Sequence, residues 1–216
     1  MKKKYQRLRN FLAFCFRILS HVEIEGVEYI PREGGFVLAT NHLSRLDTPL
    51  LGVACPRQIY ALVAMKYKSR PFSRLIMEMA DVIWVRRTEF DREALLGALN
   101  VLKRGDVLGL APEGTRSPTH ALQAGKPGVA FLTARAGVPI VPVAITGTEQ
   151  VKAAWGKFRR PHLKVTFGKP FRLPKEGRLS SEELDAATHM IMGRIAVLLP
   201  RDYRGVYAEA LAAAVS

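Results

Sequence analysis

Long apolar runs are missing from this sequence: no stretch approaches the ~20 residues that a spanning helix needs. The start carries no small-residue cleavage site of a secretory leader. Cysteine is scarce. Cys15 and Cys55 stand alone, form no C-x-x-C pair, and belong to no Cys/His cluster of zinc spacing. Both read as reduced core or interface residues, which points to a reducing compartment. No metal and no resident cofactor are implied. Acidic residues are the other shortage, with 19 Asp and Glu against 33 Lys and Arg, a formal net charge of +14. Self-repulsion of that size weakens a compact state, so a partner must account for it. Nucleic acid, an anionic membrane surface and an acidic soluble substrate all qualify. What is present argues for order: hydrophobic residues make up 48% and charged residues 24%, which excludes a disordered chain. A length of 216 residues suits one domain with a sizeable core.

The first twenty residues are basic and then apolar. Lys2, Lys3, Lys4, Arg7 and Arg9 crowd the start, while Leu8, Phe11, Leu12, Cys15, Ile18 and Leu19 recur at helical spacing. A basic helix with Phe and Leu on its other side tends to lie in a membrane interface. The plainer reading is a helix packed on the core. Short apolar runs rich in β-formers follow at 36–40, 59–63, 82–85, 107–110, 140–145 and 163–167, and read as buried strands. Helical patterns lie between them. Leu95, Ala98, Leu99 and Leu102 share one face before Gly105, Pro127 opens a helix to Ala136, and Ser180 with Glu183 forms a capping box. Residues 201–216 read as a terminal helix. The alternation predicts an α/β layer structure with a largely parallel sheet, whose sites sit at the carboxyl ends of the strands.

His42 lies just past the strand 36–40, and Asp47 follows five residues later. On a regular helix the two side chains would point roughly 140° apart, so they meet only across a turn. Asp47-Thr48-Pro49 supplies one as a helix start, with Asp47 as N-cap. A carboxylate on one imidazole nitrogen fixes the tautomer and stabilises the cation formed when the other nitrogen takes a proton. That apparatus deprotonates an alcohol. Alone, the pair also fits a helix cap beside an ordinary loop histidine. Two more blocks follow or end a predicted strand. VIWVRR (82–87) brings Arg87, and PEGTRS (112–117) brings a Gly turn, hydroxyls and Arg116, which suit a phosphate.

Together, in this order and spacing, the blocks resemble the glycerolipid acyltransferase family. NHLSRLD is similar to its N-H-x-x-x-x-D, VIWVRR to its arginine-ended second block, PEGTRS to its third, and VPIVPVAI (138–145) to its Pro-containing fourth. The resemblance covers roughly residues 20–170. It implies a mixed, largely parallel sheet flanked by helices, and with the basic amphipathic start read as an interface helix over 1–20 it leaves an acyltransferase domain over 21–216. It implies direct transfer of a fatty acyl group from acyl-CoA or acyl-carrier protein to a lysolipid acceptor, the sn-2 hydroxyl of 1-acylglycerol 3-phosphate in the commonest case. By it His42 is the general base and Asp47 orients it. Arg87, Glu113, Gly114, Thr115 and Arg116 hold the acceptor phosphate, and Val138, Pro139, Ile140, Val141 and Pro142 shape the acyl-donor side. No metal or cofactor enters. The expected location is the cytoplasmic face of the cell membrane, on it and not through it. Asp81 stands where the second block usually opens with Gly, Arg86 where an acid is common and Ala111 where Phe is frequent, and GKPG (125–128) is an unusual version of the segment that follows.

Two other classes stay in view. The basic stretches 66–74 and 155–164 carry interleaved aromatics, as nucleic-acid surfaces do. That reading leaves His42, Asp47 and PEGTRS without a task, so no nucleic-acid partner is expected. A hydrolase would need a nucleophile, and no G-x-S-x-G is present.

Overall fold

The computed structural model describes residues 1–86 and 91–209, apart from the side chains of residues 72 and 73. Its frame is one seven-stranded sheet. The strands are β1 (His21–Glu25), β2 (Phe36–Thr40), β3 (Ile59–Ala64), β4 (Ile83–Val85), β5 (Val107–Leu110), β6 (Ile140–Thr146) and β7 (His162–Phe167). The helices are α1 (Lys3–Leu19), α2 (Asp47–Ala54), α3 (Pro71–Met79), α4 (Arg92–Lys103), α5 (Gly128–Ala136), α6 (Val151–Gly156) and α7 (Ser181–Leu198). The strand order is β1-β7-β6-β2-β5-β3-β4. β2 to β6 run parallel, β7 lies antiparallel to β6, and β1 lies parallel to β7. This is the mixed, largely parallel sheet that the sequence predicts.

Pleating divides the strand residues between two cores. Val37, Ala39, Leu108 and Ile140 pack with α4, α5 and α7 through Ala98, Val101, Ala130, Ile191 and Ile195. Phe36, Leu38, Val107, Val141 and Val143 pack on the other face with Leu50 and Leu51 of α2 and Phe16 of α1. Phe36, Leu38, Leu108 and Ile140 lose all solvent contact, a gain of roughly 1.5–3 kcal/mol for each side chain. Runs apolar on both faces follow from this covering by helices.

Helix ends follow local chemistry. Asp91 caps α4 by accepting from the Ala94 N–H, and Ser180 and Glu183 close the expected capping box on α7. Gly137 ends α5 by donating to the Thr133 carbonyl. Three elements escape the sequence pattern. β1 is an edge strand of sequence HVEIE whose Glu23 and Glu25 pair with Lys164, so it has no apolar run to read. α3 and α6 are short. Of the terminal helix expected over 201–216, residues 201–207 are instead two 3-10 turns, Arg201–Tyr203 and Gly205–Tyr207, residues 208–209 are helical, and residues 210–216 lie outside the described part.

α1 settles one face inward through Tyr5, Leu8 and Phe16 and turns Phe11, Phe14 and Ile18 outward. It packs on α2, α3 and β1. The plainer reading, a helix packed on the core, holds for the inward face, and the outward face is an exposed apolar one. No described helix is long and apolar enough to cross a membrane. Lys2 and Lys4 bind Asp81 at 3.1 and 2.6 Å. Asp81 has a left-handed φ of 54°, a conformation that glycine adopts freely and Asp tolerates. Burial raises its carboxyl, but hydrogen bonds from Lys4, Lys2 and Gln58 outweigh that and hold it below the usual range. Cys15 and Cys55 are free thiols. Burial pushes the Cys55 thiol up to about 11, against the pull of the Arg57 N–H and guanidinium.

Candidate active site

Parallel strands β2, β5 and β6 bring their carboxyl ends together, and the loops leaving them meet. Asn41 staples β2 to β6: its amide donates to the Ile145 carbonyl and accepts from the Ile145 N–H, both at 2.8 Å. The next residue, His42, is held from both sides of its backbone by the loop after β5. Its N–H donates to Glu113 Oε1 at 2.9 Å, and its carbonyl accepts from the Ser117 N–H at 2.8 Å.

His42 Nδ1 lies 2.7 Å from Asp47 Oδ2. The same oxygen accepts from the N–H groups of Leu43 and Ser44 at 2.7 and 2.8 Å. An oxygen gathering those donors is an acceptor, so Nδ1 carries the proton and Nε2 presents its lone pair. The His42 side chain is 23% exposed and that of Asp47 only 3%, so the imidazole is reachable and its partner is not. Asp47 differs from the expected cap. Leu46 is the N-cap of α2 and makes no side-chain capping bond. Asp47 is the first helical residue and turns its carboxylate back over the preceding turn, because two unpaired loop N–H groups and an imidazole stand there.

Thr148 is the residue that sequence reasoning missed. It is buried, and its hydroxyl makes a short hydrogen bond to Asp47 Oδ1. Gly147, at φ 85°, delivers it there. A Cβ on Gly147 would lie 1.9 Å from the His162 carbonyl oxygen, so only glycine leaves β6 along this path. No local pattern marks Thr148, since its partner is 101 residues away. Thr148→Val should lower kcat roughly tenfold with little change in KM, the scale of one hydrogen bond to a charged group. Thr148→Ser should restore most of it. Steady-state kinetics on both variants check this, and a valine variant with full kcat would show that the hydroxyl is idle.

The loop after β5 divides into an inward and an outward part. Glu113 is buried, and its second oxygen accepts from the Gln123 N–H at 3.0 Å. Burial pushes its carboxyl above the ordinary glutamate range, opposed by the Gln123 and His42 N–H groups. Sequence reasoning put Glu113 on a phosphate. The structure turns it into the core, where a carboxylate satisfies backbone donors that nothing else reaches. Gly114, Thr115 and Arg116 are exposed. Gly114, at φ 72°, closes the turn by donating to the Ala111 carbonyl. Lys126 lies over it, with Nζ 3.4 Å from where a glycine Cβ would be. The odd GKPG segment was the one sign of this lysine. Arg87 lies outside the described residues.

Val138, Pro139, Ile140, Val141 and Pro142 are not brought to this site. They form the approach to β6 and its first half, and Ile140 pairs with Val37 near the start of β2. Ile140 and Val141 are wholly buried. A Pro-containing apolar run reads the same at either end of a strand; parallel pairing puts the start of this one at the end away from His42 and sets Pro142 opposite Ala39, within the sheet. Among the described residues, no group of three or more His, Cys, Asp or Glu side chains is placed to hold a metal.

A strand-end imidazole held by a buried carboxylate, beside an exposed cationic turn, is an arrangement able to take a proton from a hydroxyl next to a bound anion. Comparison with known proteins makes the class definite. The Acyltransferase family model matches residues 21–146, from the first residue of β1 to the last of β6. The chain belongs to that family and is an acyltransferase. It is 25% identical over 193 residues to the 1-acyl-sn-glycerol-3-phosphate acyltransferase of Bacillus subtilis, covering 88% of this chain and 94% of that one. The Saccharomyces cerevisiae protein of the same name is 30% identical over 156 residues, 69% of this chain and 51% of its own length. Among solved structures, the 1-acyl-sn-glycerophosphate (LPA) acyltransferase PlsC from Thermotoga maritima superposes with a TM-score of 0.69 at 26% identity, over 87% of this chain and 76% of that one.

Proposed function

We propose that the protein moves a fatty acyl group from an acyl thioester, acyl-CoA or acyl-carrier protein, to the sn-2 hydroxyl of 1-acylglycerol 3-phosphate, giving phosphatidic acid for phospholipid synthesis. The observation that carries this reading is the 2.7 Å His42–Asp47 contact beside the Gly114–Arg116 turn. His42 Nε2 takes the acceptor's hydroxyl proton as that oxygen attacks the thioester carbonyl. The C–O bond forms, the C–S bond breaks, and the leaving thiolate takes the proton back from the imidazolium. Asp47 stabilises that imidazolium. Arg116, Lys126, the Thr115 hydroxyl and, by resemblance, Arg87 hold the phosphate. Glu113 keeps their loop against His42. The relatives named for this acceptor support the choice.

Purified protein given a labelled acyl thioester and a panel of acceptors tests it, with products identified by mass. Lysophosphatidate should be used in preference to glycerol 3-phosphate, a lyso-aminolipid and other lysophospholipids. A different preferred acceptor would keep the chemistry and replace the substrate. Arg116→Ala should cut kcat/KM for a phosphate-bearing acceptor by about 10–150-fold, the worth of one charged hydrogen bond. Lysine should rescue only in part because it lacks the fork. Unchanged acceptor kinetics in Arg116→Ala would remove it from the phosphate cradle.

The acceptor is an amphiphile held in a bilayer, so the site must work at a membrane surface, and the protein lies on its cytoplasmic face. The outward stripe of Phe11, Phe14 and Ile18 supports that placement.

A further inference from the structure

The basic and apolar halves of α1 point to opposite ends of the molecule. Its N-terminal lysines bind Asp81 just before β4, and the Lys2 N–H donates to Gln58 just before β3. Those are strand starts, the end away from His42. The other half is placed by strand pairing. β6 runs parallel to β2, so Thr146 ends beside the His42 loop. β7 returns antiparallel from that end, and His21 of β1 pairs with His162 there. Leu19, two residues earlier, is therefore at the catalytic end.

A second element meets it. α6 starts three residues after Thr148. The Trp155 indole N–H donates to the Leu19 carbonyl at 2.9 Å. The Arg160 guanidinium donates to the carbonyls of Arg17 and Ser20 at 2.6 and 2.7 Å, closing the carboxyl end of α1. Between them Phe158 stands fully in solvent at 101% exposure, on a left-handed backbone with φ 52°. A phenylalanine in that conformation is strained and covers nothing in its own chain. Ile18, Leu19 and Trp155 beside it are also exposed. Lys157, Arg159 and Arg17 around the patch are exposed and make no ion pair with a described residue. α6 and this corner lie beyond the residues matched by the family model.

We propose that the Trp155–Arg160 corner is a lipid-insertion element of this protein, with Phe158 as its tip. Together with the last turn of α1 it seats the catalytic end on an anionic membrane. Apolar tips ringed by exposed cations, with a tryptophan at the boundary, match the acyl-to-headgroup transition of such a surface. The lysines at the chain start serve the far end of the fold instead. This rests on the acyltransferase reading of the site, because a lipid acceptor gives the catalytic end its reason to face the bilayer.

The test is co-sedimentation of the full chain with vesicles of mixed phosphatidylglycerol and phosphatidylcholine, against pure phosphatidylcholine, with tryptophan emission followed in parallel. Wild type should bind the mixed vesicles and shift its emission to the blue. Phe158→Asn tolerates the left-handed backbone and should weaken binding roughly tenfold. Arg159→Glu should weaken it several-fold, and Lys3→Gln at the far end should change it little. Transfer to detergent-dispersed acceptor should survive in Phe158→Asn, because access and not chemistry is lost. Binding of Phe158→Asn and Arg159→Glu at the wild-type level would overturn the proposal. So would wild type that ignores vesicles and forms a dimer that Phe158→Asn breaks. Absence of transfer by wild type to any dispersed acceptor would instead sink the functional reading, while the vesicle result would still decide the corner.

Discussion

Replacing His42 with alanine is expected to lower kcat by about 10²–10⁴-fold, the range for loss of a general base, and to leave a folded protein. The fold is insulated because His42 is fixed through its backbone. The N–H bond to Glu113 and the carbonyl bond from Ser117 survive any side chain. Asp47 loses one donor but keeps the Leu43 and Ser44 N–H groups and the Thr148 hydroxyl. The side chain is partly exposed, so its removal opens no sealed cavity. Single-turnover rates with a labelled thioester, alongside thermal unfolding, measure both halves of the expectation. A folded alanine variant with near-normal turnover would end the general-base mechanism.

Asp47→Asn should be nearly as damaging to kcat, about 10²-fold or more, and the two oxygens of Asp47 explain why its fold should hold. Oδ2 faces three N–H donors, so an amide nitrogen cannot sit there. Oδ1 faces the Thr148 hydroxyl, which can accept as well as donate. Asparagine therefore turns its nitrogen to Thr148 and keeps the loop and the imidazole in place. What it removes is the negative charge that stabilises the imidazolium. Asp47→Ala is the contrast. It strands the Leu43 and Ser44 N–H groups beneath the surface at about 1–3 kcal/mol each, so stability should fall with activity. Comparing unfolding midpoints of the two variants with their kcat values separates charge from geometry. An asparagine variant as active as wild type would mean that orientation alone is required.

Much of this was legible because burial writes itself locally. β2 and β5 match their apolar runs residue for residue, and the other four predicted strands differ by one residue at an end. A run flanked by helices on both faces has no polar side, and that signal needs no knowledge of neighbours. The capping box of α7 is equally local. β1 stayed hidden because an edge strand of alternating charge is stabilised by Lys164, which is far away in the chain.

The sequence by itself determined the α/β class, the family, and the two segments that carry His42 with Asp47 and Gly114 with Arg116. Short-range spacing and hydrophobic runs are sufficient for those. Only the tertiary structure decided what each side chain faces. Strand order set Thr148 on Asp47 and Asn41 on Ile145 across about a hundred residues. Parallel pairing sent Val138–Ile140 to the end away from His42 and buried Val141 and Pro142 within the sheet. An inward loop turned Glu113 from a phosphate ligand into a clamp on His42. The reversal at β7 carried Leu19, Trp155 and Phe158 to the catalytic end and left the lysines at the other. Periodicity records how much of a residue is buried. Which partner it meets depends on the direction and order of strands joined by hydrogen bonds between distant parts of the chain.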